Sequence, residues 1–362
     1  MQENLYLRTQ KVMNSDGTME YEVTIGIPVY NAERYIRRAL ESALAQTFQN
    51  IEFLICDDCG TDSSMEVVRE YQSNHPRGFD IHTISQPYNK GLGEARNLII
   101  DNAAGKYLYF LDADDAMSEN AISLLYESLI RYDADIVYGS HDRIEEFGGQ
   151  RQVIPFVYPS LVFLNENEFA NWAYETYGKM GTTTWNFLID VNIYRRNAIR
   201  YKPVNFWEDM TTTIDLPTYV CRVVLLPNIT YQYYCHYGSL SNFQKRDVIQ
   251  KEEVEKTILA MKEVKDDSQR IKGKPYYPKR CLKVMKTCFY MACTMIKYRE
   301  ITHPPFSDSE IRDLMASPLG FGEICSFKTA KWPHLVLYML GILPSAMSVL
   351  IIHIIGKKKG LI

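Results

Sequence analysis

Short apolar runs alternate with segments of helical spacing from Tyr21 to about residue 140. The apolar runs predict strands at Val23–Val29, Ile51–Cys56, Phe79–Ser85, Tyr107–Leu111 and Ile136–Tyr138. Between them, apolar residues at three- and four-residue steps predict helices at Ala32–Ala45, Ser63–Ser73, Leu92–Asn102 and Glu119–Tyr132. This alternation predicts an α/β fold with a mostly parallel, Rossmann-like sheet flanked by right-handed helical crossovers.

The pattern changes after about residue 141. A Gly148-Gly149 turn, a helix from Glu166 and a strand pair near Val223–Tyr234 indicate an α+β half. Further helices are predicted at Val248–Val264, at Lys279–Tyr298 and after a capping box formed by Ser307 and Glu310. We therefore divide the chain into a tail (1–20), an α/β half (21–140), an α+β half (141–245), a helical extension (246–332) and an apolar segment ending in lysines (333–362).

Composition places the chain among folded globular proteins. Its 362 residues are 46% hydrophobic and 23% charged, which disfavours disorder and exceeds what one small domain needs. The net charge of −4 argues against nucleic-acid binding, although residues 270–362 hold fifteen Lys/Arg against five Asp/Glu. The first twenty residues lack the apolar core of a secretion signal, so we expect the eight cysteines to be reduced thiols in the cytoplasm.

The most apolar stretch runs from His334 to Ile355 and is followed by Lys357–Lys359. It is long enough to cross about 30 Å of hydrocarbon, but Gly341 and Pro344 interrupt it. We expect a bent, monotopic insertion that breaks near Gly341–Pro344 and lies against anionic lipid on the inner face of the cell membrane. The alternative is a helix pair packed on the protein or on a partner.

The predicted helix at Lys279–Tyr298 is amphipathic. It carries Lys279, Lys283 and Lys286 on a face different from its apolar one. Such a helix either lies on a membrane or caps a core.

Acidic residues follow two of the predicted strands. In open parallel sheets ligands bind beyond the carboxyl ends of the strands, so these positions are candidates for chemistry. The carboxylates are those of Asp57, Asp58, Asp112, Asp114 and Asp115. They repel one another unless a cation or hydrogen-bond donors offset the charge, and oxygen ligands favour Mn²⁺ or Mg²⁺. Helix caps and solvated turns are sufficient to account for Asp62 and Asp115.

Four blocks of sequence stand in register between residues 24 and 115: TIGIPVYNAERYIRRALESALAQTF, IEFLICDDCGTDSS, NKGLGEARN and AAGKYLYFLDADD. They resemble family 2 glycosyltransferases of the GT-A fold, of the bacterial surface-polysaccharide type, and a weaker resemblance continues to about residue 243. The resemblance implies that residues 21–140 bind a nucleotide sugar. It also implies that residues 141–245 bind the acceptor and carry the catalytic base.

The resemblance assigns the nucleotide base to Pro28, Tyr30 and Glu33 at the end of the first strand. It makes Asp58 the acceptor of a hydrogen bond from a uracil ring. Asp57 is then its partner or a structural turn residue.

Further donor contacts follow from the same resemblance. Arg96 becomes a cation beside the donor, or an ion pair that holds the site together. Asp112, Ala113 and Asp114 look like the family's DxD motif: Asp112 and Ala113 contact the donor, and Asp114 coordinates the metal on the diphosphate. In an extended segment the two carboxylates would point to different sides.

The second half contributes three further candidates. Glu208-Asp209 resembles the family's ED pair, which implies that Asp209 is the general base and Glu208 its orienter; the alternative is a helix N-cap. His236 is either a metal ligand, a cation for the leaving group or a plain strand histidine. Trp185 either contacts the acceptor or packs in the core.

Cys56 and Cys59 form a C-x-x-C pair at a strand end, where redox chemistry is disfavoured because the motif does not open a helix. Cys59 also replaces the glycine that is usual at this turn of the family.

These residues predict an inverting glycosyltransferase dependent on Mn²⁺ or Mg²⁺. It would move a hexose or N-acetylhexosamine from a nucleotide diphosphate sugar, a UDP-sugar by preference, to a hydroxyl of a growing or polyprenyl-diphosphate-linked saccharide in polysaccharide biosynthesis. One alternative is a non-catalytic nucleotide-sugar or saccharide-binding component of a membrane assembly. Another is a nucleotidyltransferase. The absence of a glycine-rich, basic phosphate loop near the first strand argues against it.

Overall fold

The computed structural model describes residues 12–13, 19–147, 150–175, 180–204, 206–235 and 247–362. The chain forms two compact units. The first comprises Met1–Phe169, Thr182–Pro203 and Glu208–Gly238, and the second comprises Ala170–Gly181, Val204–Trp207 and Ser239–Ile362. The predicted Gly148-Gly149 turn and His236 lie outside the described residues.

The strands of the first unit are β1 (Val12–Met13), β2 (Met19–Glu20), β3 (Val23–Val29), β4 (Ile51–Asp57), β5 (Ile81–Ser85), β6 (Tyr107–Phe110), β7 (Ala116–Met117), β8 (Ile136–Phe147), β9 (Gln150–Phe156), β10 (Leu161–Phe163), β11 (Phe187–Asp190) and β12 (Val223–Cys235). The α-helices are α1 (Ile36–Leu44), α2 (Ser64–Asn74), α3 (Leu92–Asn102), α4 (Ala121–Tyr132), α5 (Glu168–Glu175, which continues into the second unit), α6 (Val191–Arg196) and α7 (Glu208–Thr213). Short 3₁₀ turns occupy Gly78–Asp80 and Leu216–Thr218.

The N-terminal half of the sheet is parallel, in the order β5–β4–β3–β6. Val23 of β3 lies opposite Ile51 of β4 on one side and Tyr107 of β6 on the other. All seven residues of β3 are buried, as expected for a parallel strand covered by helices on both faces. Because β3, β4 and β6 run in one direction, the residues that follow them meet at one edge. The predicted α/β sheet with helical crossovers is confirmed.

The remaining strands add mostly antiparallel pairs. β11 lies between β6 and β8 and is antiparallel to both, whereas β12 runs parallel to β8. The predicted strand pair near Val223–Tyr234 is wrong, since β12 is one strand. Its register shifts between Leu225 and Tyr231, and the exposed Pro227 and Asn228 lie in that irregular stretch. A bulge accommodates a proline that an unbroken ladder would exclude.

The second unit is mainly helical. Its helices are α8 (Lys251–Asp266), α9 (Tyr277–Lys297), α10 (Asp308–Leu314), α11 (Phe321–Ser326), α12 (Lys331–Ile342) and α13 (Ser345–Lys358), with a short parallel pair of β13 (Ile249–Gln250) and β14 (Thr302–His303) and 3₁₀ turns at Asp267–Ile271 and Arg299–Ile301. The predicted capping box is confirmed: Ser307 accepts from the Glu310 N–H and Glu310 accepts from the Ser307 N–H.

The apolar C-terminal segment is broken where the sequence predicts. Helix α12 ends at Ile342 and α13 begins at Ser345, because Pro344 has no N–H to continue the first helix. Both helices pack on α9 and α10. In the part of the chain that the structure describes, no helix is both long and apolar enough to cross a bilayer.

Candidate active site

The loops that follow β3 and β4 are hydrogen-bonded to each other. The Thr61 N–H donates to Asn31 Oδ1 at 2.7 Å, and the Glu33 N–H donates to Asp62 Oδ2 at 2.9 Å. In return, the Ser63 N–H donates to the Glu33 carboxylate at 3.3 Å. Asp62 also accepts from the N–H of Ser64, the first residue of α2, at 3.0 Å, so it combines the turn and helix-capping roles that the sequence allows it. These bonds fix the rim of the site.

The predicted base-binding residues on β3 differ in exposure. Pro28 is buried opposite Cys56 in the parallel ladder, whereas the Tyr30 ring is 50% exposed just beyond the strand. Glu33 is also exposed. Tyr30 and Glu33 are thus available to a ligand, and Pro28 shapes the strand end beneath them.

Asp58 is buried and anchors the loop before α3. Its two carboxylate oxygens accept from the Lys90 and Gly91 N–H groups, each at 2.9 Å. Burial raises the pKa of Asp58, although these two donors act in the opposite direction. Asp57 accepts from the Gly60 N–H at 3.3 Å. A carboxylate has more than two lone pairs, so Asp58 keeps acceptor capacity while it fastens the loop.

Cys56 and Cys59 do not form a redox pair. Cys56 is fully buried, and burial together with the charges of Asp58 and Asp57 raises its thiol pKa to about 12. Redox thiols need the opposite shift. Cys59 has a backbone φ of 56°, in the left-handed region, which explains why a glycine is usual at this turn in the family. Its thiol donates to the Gln86 carbonyl at 2.9 Å.

Arg96 joins the DxD motif to the ED pair. Its guanidinium is 0% exposed, and Nη2 lies 2.9 Å from Asp112 Oδ1. Nη1 contacts Asp209 Oδ1 and lies 3.6 Å from Glu208 Oε1. The face of the group lies 5.6 Å from the centre of the Tyr201 ring. We call Arg96, Asp112, Glu208 and Asp209 the arginine cluster.

The arginine cluster holds one cation against three carboxylates. Burial raises the pKa of Glu208 to about 7, and the negative charge of Asp209 adds to this, while Arg96 opposes it. Burial likewise raises the pKa of Asp112 to about 6 against the lowering effect of Arg96. The Thr184 hydroxyl donates to Asp209 Oδ1 at 2.6 Å. The Thr184 N–H donates to the other oxygen, Oδ2, at 3.3 Å, so both oxygens of Asp209 are held.

Residues 112–115 form a turn rather than the extended segment that we expected. The Asp115 N–H donates to the Asp112 carbonyl at 3.1 Å. Asp115 is fully buried and is not a solvated turn residue, because its oxygens accept from the Tyr231 hydroxyl at 2.7 Å and from the Tyr234 N–H at 2.8 Å. The turn is thereby fastened to β12, and Ala113 within it is buried.

Asp114, like Asp112, is partly exposed. Its backbone carbonyl accepts from Arg38, whose guanidinium lies 3.5 Å from the centre of the Tyr234 ring. Burial raises the pKa of Asp115, and the charges of Asp114 and Asp112 add to this, while the bonds from Tyr231 and Tyr234 oppose it. The repulsion among these carboxylates and the oxygen-only donor set fit a hard divalent cation. The described residues contain no group of three protein ligands, so a cation here needs ligand oxygens as well.

Trp185 lies behind the site. It is 6% exposed, and its indole stacks on Tyr231 with centroids 4.4 Å apart and planes 6° from parallel. It meets His141 edge-on at 4.8 Å. Of the two roles predicted for Trp185, this conformation shows core packing: the indole supports Tyr231, which in turn holds Asp115.

Three side chains that shape the site were not among the predicted residues. Arg38 sits on the polar face of α1 and Thr184 ends a run of threonines, so neither carries a distinguishing pattern. Tyr231 has no distinguishing pattern either, because burial does not alternate along this part of β12: Thr230 and Tyr231 are both fully buried.

Comparison with known proteins identifies the family. Residues 24–202 match the family model described as glycosyl transferase family 2. Glycosyltransferase GlyA of Streptococcus pneumoniae serotype 4 is 30% identical over 225 residues, which cover 61% of this chain and 31% of GlyA. The Escherichia coli UDP-Glc:alpha-D-GlcNAc-diphosphoundecaprenol beta-1,3-glucosyltransferase WfgD is 31% identical over 147 residues, covering 41% of this chain and 55% of WfgD.

The chain thus spans about a third of the length of GlyA and about half that of WfgD. Among solved structures, S. aureus TarS 1-349 in complex with UDP-GlcNAc matches with a TM-score of 0.61 at 15% identity, over 94% of this chain and 92% of that one. The predicted GT-A fold with a helical C-terminal region is confirmed.

Proposed function

We propose that this chain, which belongs to glycosyl transferase family 2, is an inverting, metal-dependent glycosyltransferase of polysaccharide biosynthesis. It moves a hexose or N-acetylhexosamine from a UDP-sugar to a hydroxyl of a lipid-linked or growing saccharide. The observation that carries the proposal is the arginine cluster, in which one buried guanidinium holds Asp112 of the DxD motif and both carboxylates of the ED pair at a single site. The relative WfgD, whose name gives a UDP-Glc donor and a diphosphoundecaprenol-linked acceptor, supports the donor and acceptor classes.

On the donor side, Tyr30, Glu33 and Asp58 bind the base above Pro28, with Asp57 completing the turn. Asp112, beside Ala113, accepts a hydrogen bond from a ribose or sugar hydroxyl. Asp114 holds Mn²⁺ or Mg²⁺ together with diphosphate oxygens, and His236 is proposed as a second ligand although it lies outside the described residues. The bound cation supplies compensation for the charge that develops on the leaving diphosphate.

On the acceptor side, Asp209 takes the proton of the attacking hydroxyl. A sugar hydroxyl has a very high pKa, so it loses this proton late in the displacement, to a base already in position. Arg96 and the Thr184 hydroxyl provide that position by donating to Asp209 Oδ1, while the Thr184 N–H donates to Oδ2, and Glu208 orients the pair. A single displacement inverts the anomeric centre and requires no covalent intermediate.

A panel of nucleotide sugars tests this proposal. Release of nucleoside diphosphate is followed with Mn²⁺ or Mg²⁺ for the wild type, Asp114→Ala, Asp209→Ala and the control Asp101→Ala. Asp101 is an exposed carboxylate that pairs with Arg200 at 2.6 Å, outside the site. We expect one UDP-sugar to be consumed by the wild type and by Asp101→Ala, and no turnover after metal removal or in Asp114→Ala. Asp209→Ala should lose transfer once an acceptor is present. A donor that binds but never turns over, even with lipid-linked acceptor extract, would instead indicate a non-catalytic binding component.

The C-terminal helices suggest where the enzyme works. Exposed apolar side chains recur at helical spacing along α12 and α13, namely Trp332, Val336, Met339, Met347, Leu350 and Ile354. Lys357–Lys359 close the segment. An apolar face beside lysines complements an anionic lipid surface, so we propose peripheral or monotopic association with the cytoplasmic face of the cell membrane.

Vesicle sedimentation tests this association. Leu350→Glu should release the protein from phosphatidylglycerol vesicles, whereas Leu259→Glu, at an equally exposed leucine of α8, should not. Equal sedimentation of the two variants would contradict the membrane proposal.

A further inference from the structure

A cavity of about 200 Å³ opens within the second unit, beside α9, the end of α5 and the start of α12. Three lysines of α9 line it, Lys279, Lys283 and Lys286, together with Tyr174 and Ala330. Pockets for drug-sized ligands span roughly 300–1,000 Å³, so this cavity is too small for a nucleotide sugar. It has room for a compact anion with water.

Lys283 is the unusual member of this set. The residue is 8% exposed, and burial lowers the pKa of its ammonium to about 8. In the part of the chain that the structure describes, no carboxylate pairs with Lys283. Its Nζ lies 5.9 Å from the centre of the Tyr174 ring. A buried ammonium without a counter-charge is costly. Packing alone does not account for a lysine here.

The charges around Lys283 do not supply the missing counter-charge. Glu175 is the carboxylate in the cavity lining, and it already pairs with Lys279 at 2.9 Å. Burial lowers the pKa of Lys286, and the positive charge of Lys359 lowers it further. His334 is buried nearby with a lowered pKa. The cavity is therefore surrounded by an excess of positive charge.

The beginning of α12 adds a second source of positive potential. Ala330 is the N-cap of this twelve-residue helix and offers no side chain to cap its free N–H groups. Ala330 and its neighbour Thr329 both line the cavity. Uncapped N–H groups at a helix N-terminus attract anions, and phosphate above all.

We propose that this cavity binds a phosphate group, the chemistry that a phospholipid headgroup shares with free phosphate or pyrophosphate. Lys283 supplies the buried charge, Lys279 and Lys286 flank it, and the start of α12 supplies N–H donors. None of these residues belongs to the arginine cluster. Its position on the lysine-rich second unit makes it an anchor for an anionic ligand rather than a second active site.

Thermal denaturation of the full chain tests the site, with inorganic phosphate or pyrophosphate compared with KCl at equal ionic strength. Lys283→Met removes the charge and keeps the length of the side chain. Lys297→Met removes one charge from an exposed position of the same helix and is the matched control. We expect phosphate to raise the midpoint of the wild type and of Lys297→Met above the KCl value. Lys283→Met should lose at least about ten-fold in apparent phosphate affinity, the effect of one charge-assisted contact.

The unliganded Lys283→Met protein should denature at the same temperature as the wild type or higher, because it no longer buries an unpaired ammonium. Loss of the phosphate response then cannot be attributed to misfolding. Equal effects of phosphate and KCl on the wild type, or an undiminished phosphate response in Lys283→Met, would overturn the proposal.

Vesicles distinguish the two sources of the phosphate group. If a lipid headgroup occupies the site, Lys283→Met sediments less than Lys297→Met with phosphatidylglycerol vesicles, and pyrophosphate competes with the vesicles. If both variants sediment equally while the thermal response differs, the site serves soluble phosphate.

Discussion

Arg96→Met is the substitution that most directly tests the arginine cluster. It deletes a fully buried guanidinium that lies 2.9 Å from Asp112 and 3.6 Å from Glu208 and contacts Asp209. Methionine fills much of the same volume, so the main change is electrostatic. Three carboxylates are then left in a buried site without their cation.

The expected loss of stability follows from the buried charges. Removing one partner of a buried ion pair typically costs about 3–5 kcal/mol, a large part of the roughly 5–15 kcal/mol that stabilises a folded domain. The loss should depend on pH, because Glu208 titrates at about 7 rather than at its ordinary 4.5, and Asp112 at about 6.

The sign of that dependence is fixed by the direction of the shifts. A carboxyl group whose pKa is raised on folding binds its proton more tightly in the folded state. It therefore favours folding at low pH, and this contribution is lost as the pH rises through about 7 for Glu208. Without Arg96 both pKa values rise further. The destabilisation should be largest near pH 8 and at least about 1 kcal/mol smaller near pH 5.5, since one pKa unit corresponds to about 1.4 kcal/mol.

Urea denaturation followed by tryptophan fluorescence measures both effects. Arg37→Met is the matched control, because Arg37 forms an exposed pair with Glu70, with both side chains about half exposed. Such a surface pair contributes at most about 1 kcal/mol. Arg96→Lys should recover only part of the loss, since an ammonium cannot contact two carboxylates as a planar guanidinium does. Equal stability of Arg96→Met and Arg37→Met near pH 8, or a loss that grows as the pH falls, would refute this reasoning.

Three further substitutions test other parts of the site. In a pH–rate profile of the wild type, kcat/KM should rise through about pH 7, because ionised Glu208 makes proton transfer to Asp209 more favourable. Glu208→Gln should abolish this rise. An unchanged profile would exclude Glu208 from this role. Trp185→Ala should destabilise by about 3–5 kcal/mol in urea denaturation, as large core truncations do, and Trp185→Phe by clearly less. Cys59→Gly should change the free energy of unfolding by no more than about 1 kcal/mol, because relief of the positive φ offsets the loss of the thiol hydrogen bond to Gln86. Cys59→Val should lose more stability, because valine is β-branched and is strained at the same φ.

The parts of the structure that the sequence predicts are those determined locally. The parallel strands β3, β4 and β6 follow from their apolar runs, and parallel pairing brings the acidic residues after β4 and β6 to one edge. The break between α12 and α13 follows from Pro344 alone.

The parts of the structure that the sequence does not predict depend on contacts between residues far apart in the chain. The bond between Arg96 and Asp209 joins residues 113 positions apart, and no local pattern distinguishes an ion-pairing arginine from a ligand-binding one. In β12 the turn signal of Pro227-Asn228 is overridden by pairing with β8 on both sides of the bulge. The exposed β9 lacks the polar–apolar alternation that marks a strand and is specified by its pairing with β8.

The stereochemistry of transfer tests the central proposal most directly. Once a UDP-sugar is consumed in the presence of acceptor and Mn²⁺ or Mg²⁺, NMR of the product gives the anomeric configuration of the transferred sugar. We predict that the wild type forms a product whose anomeric configuration is opposite to that of the donor, and that Asp209→Ala does not form this product. A product that retains the donor configuration would contradict single displacement with Asp209 as the base.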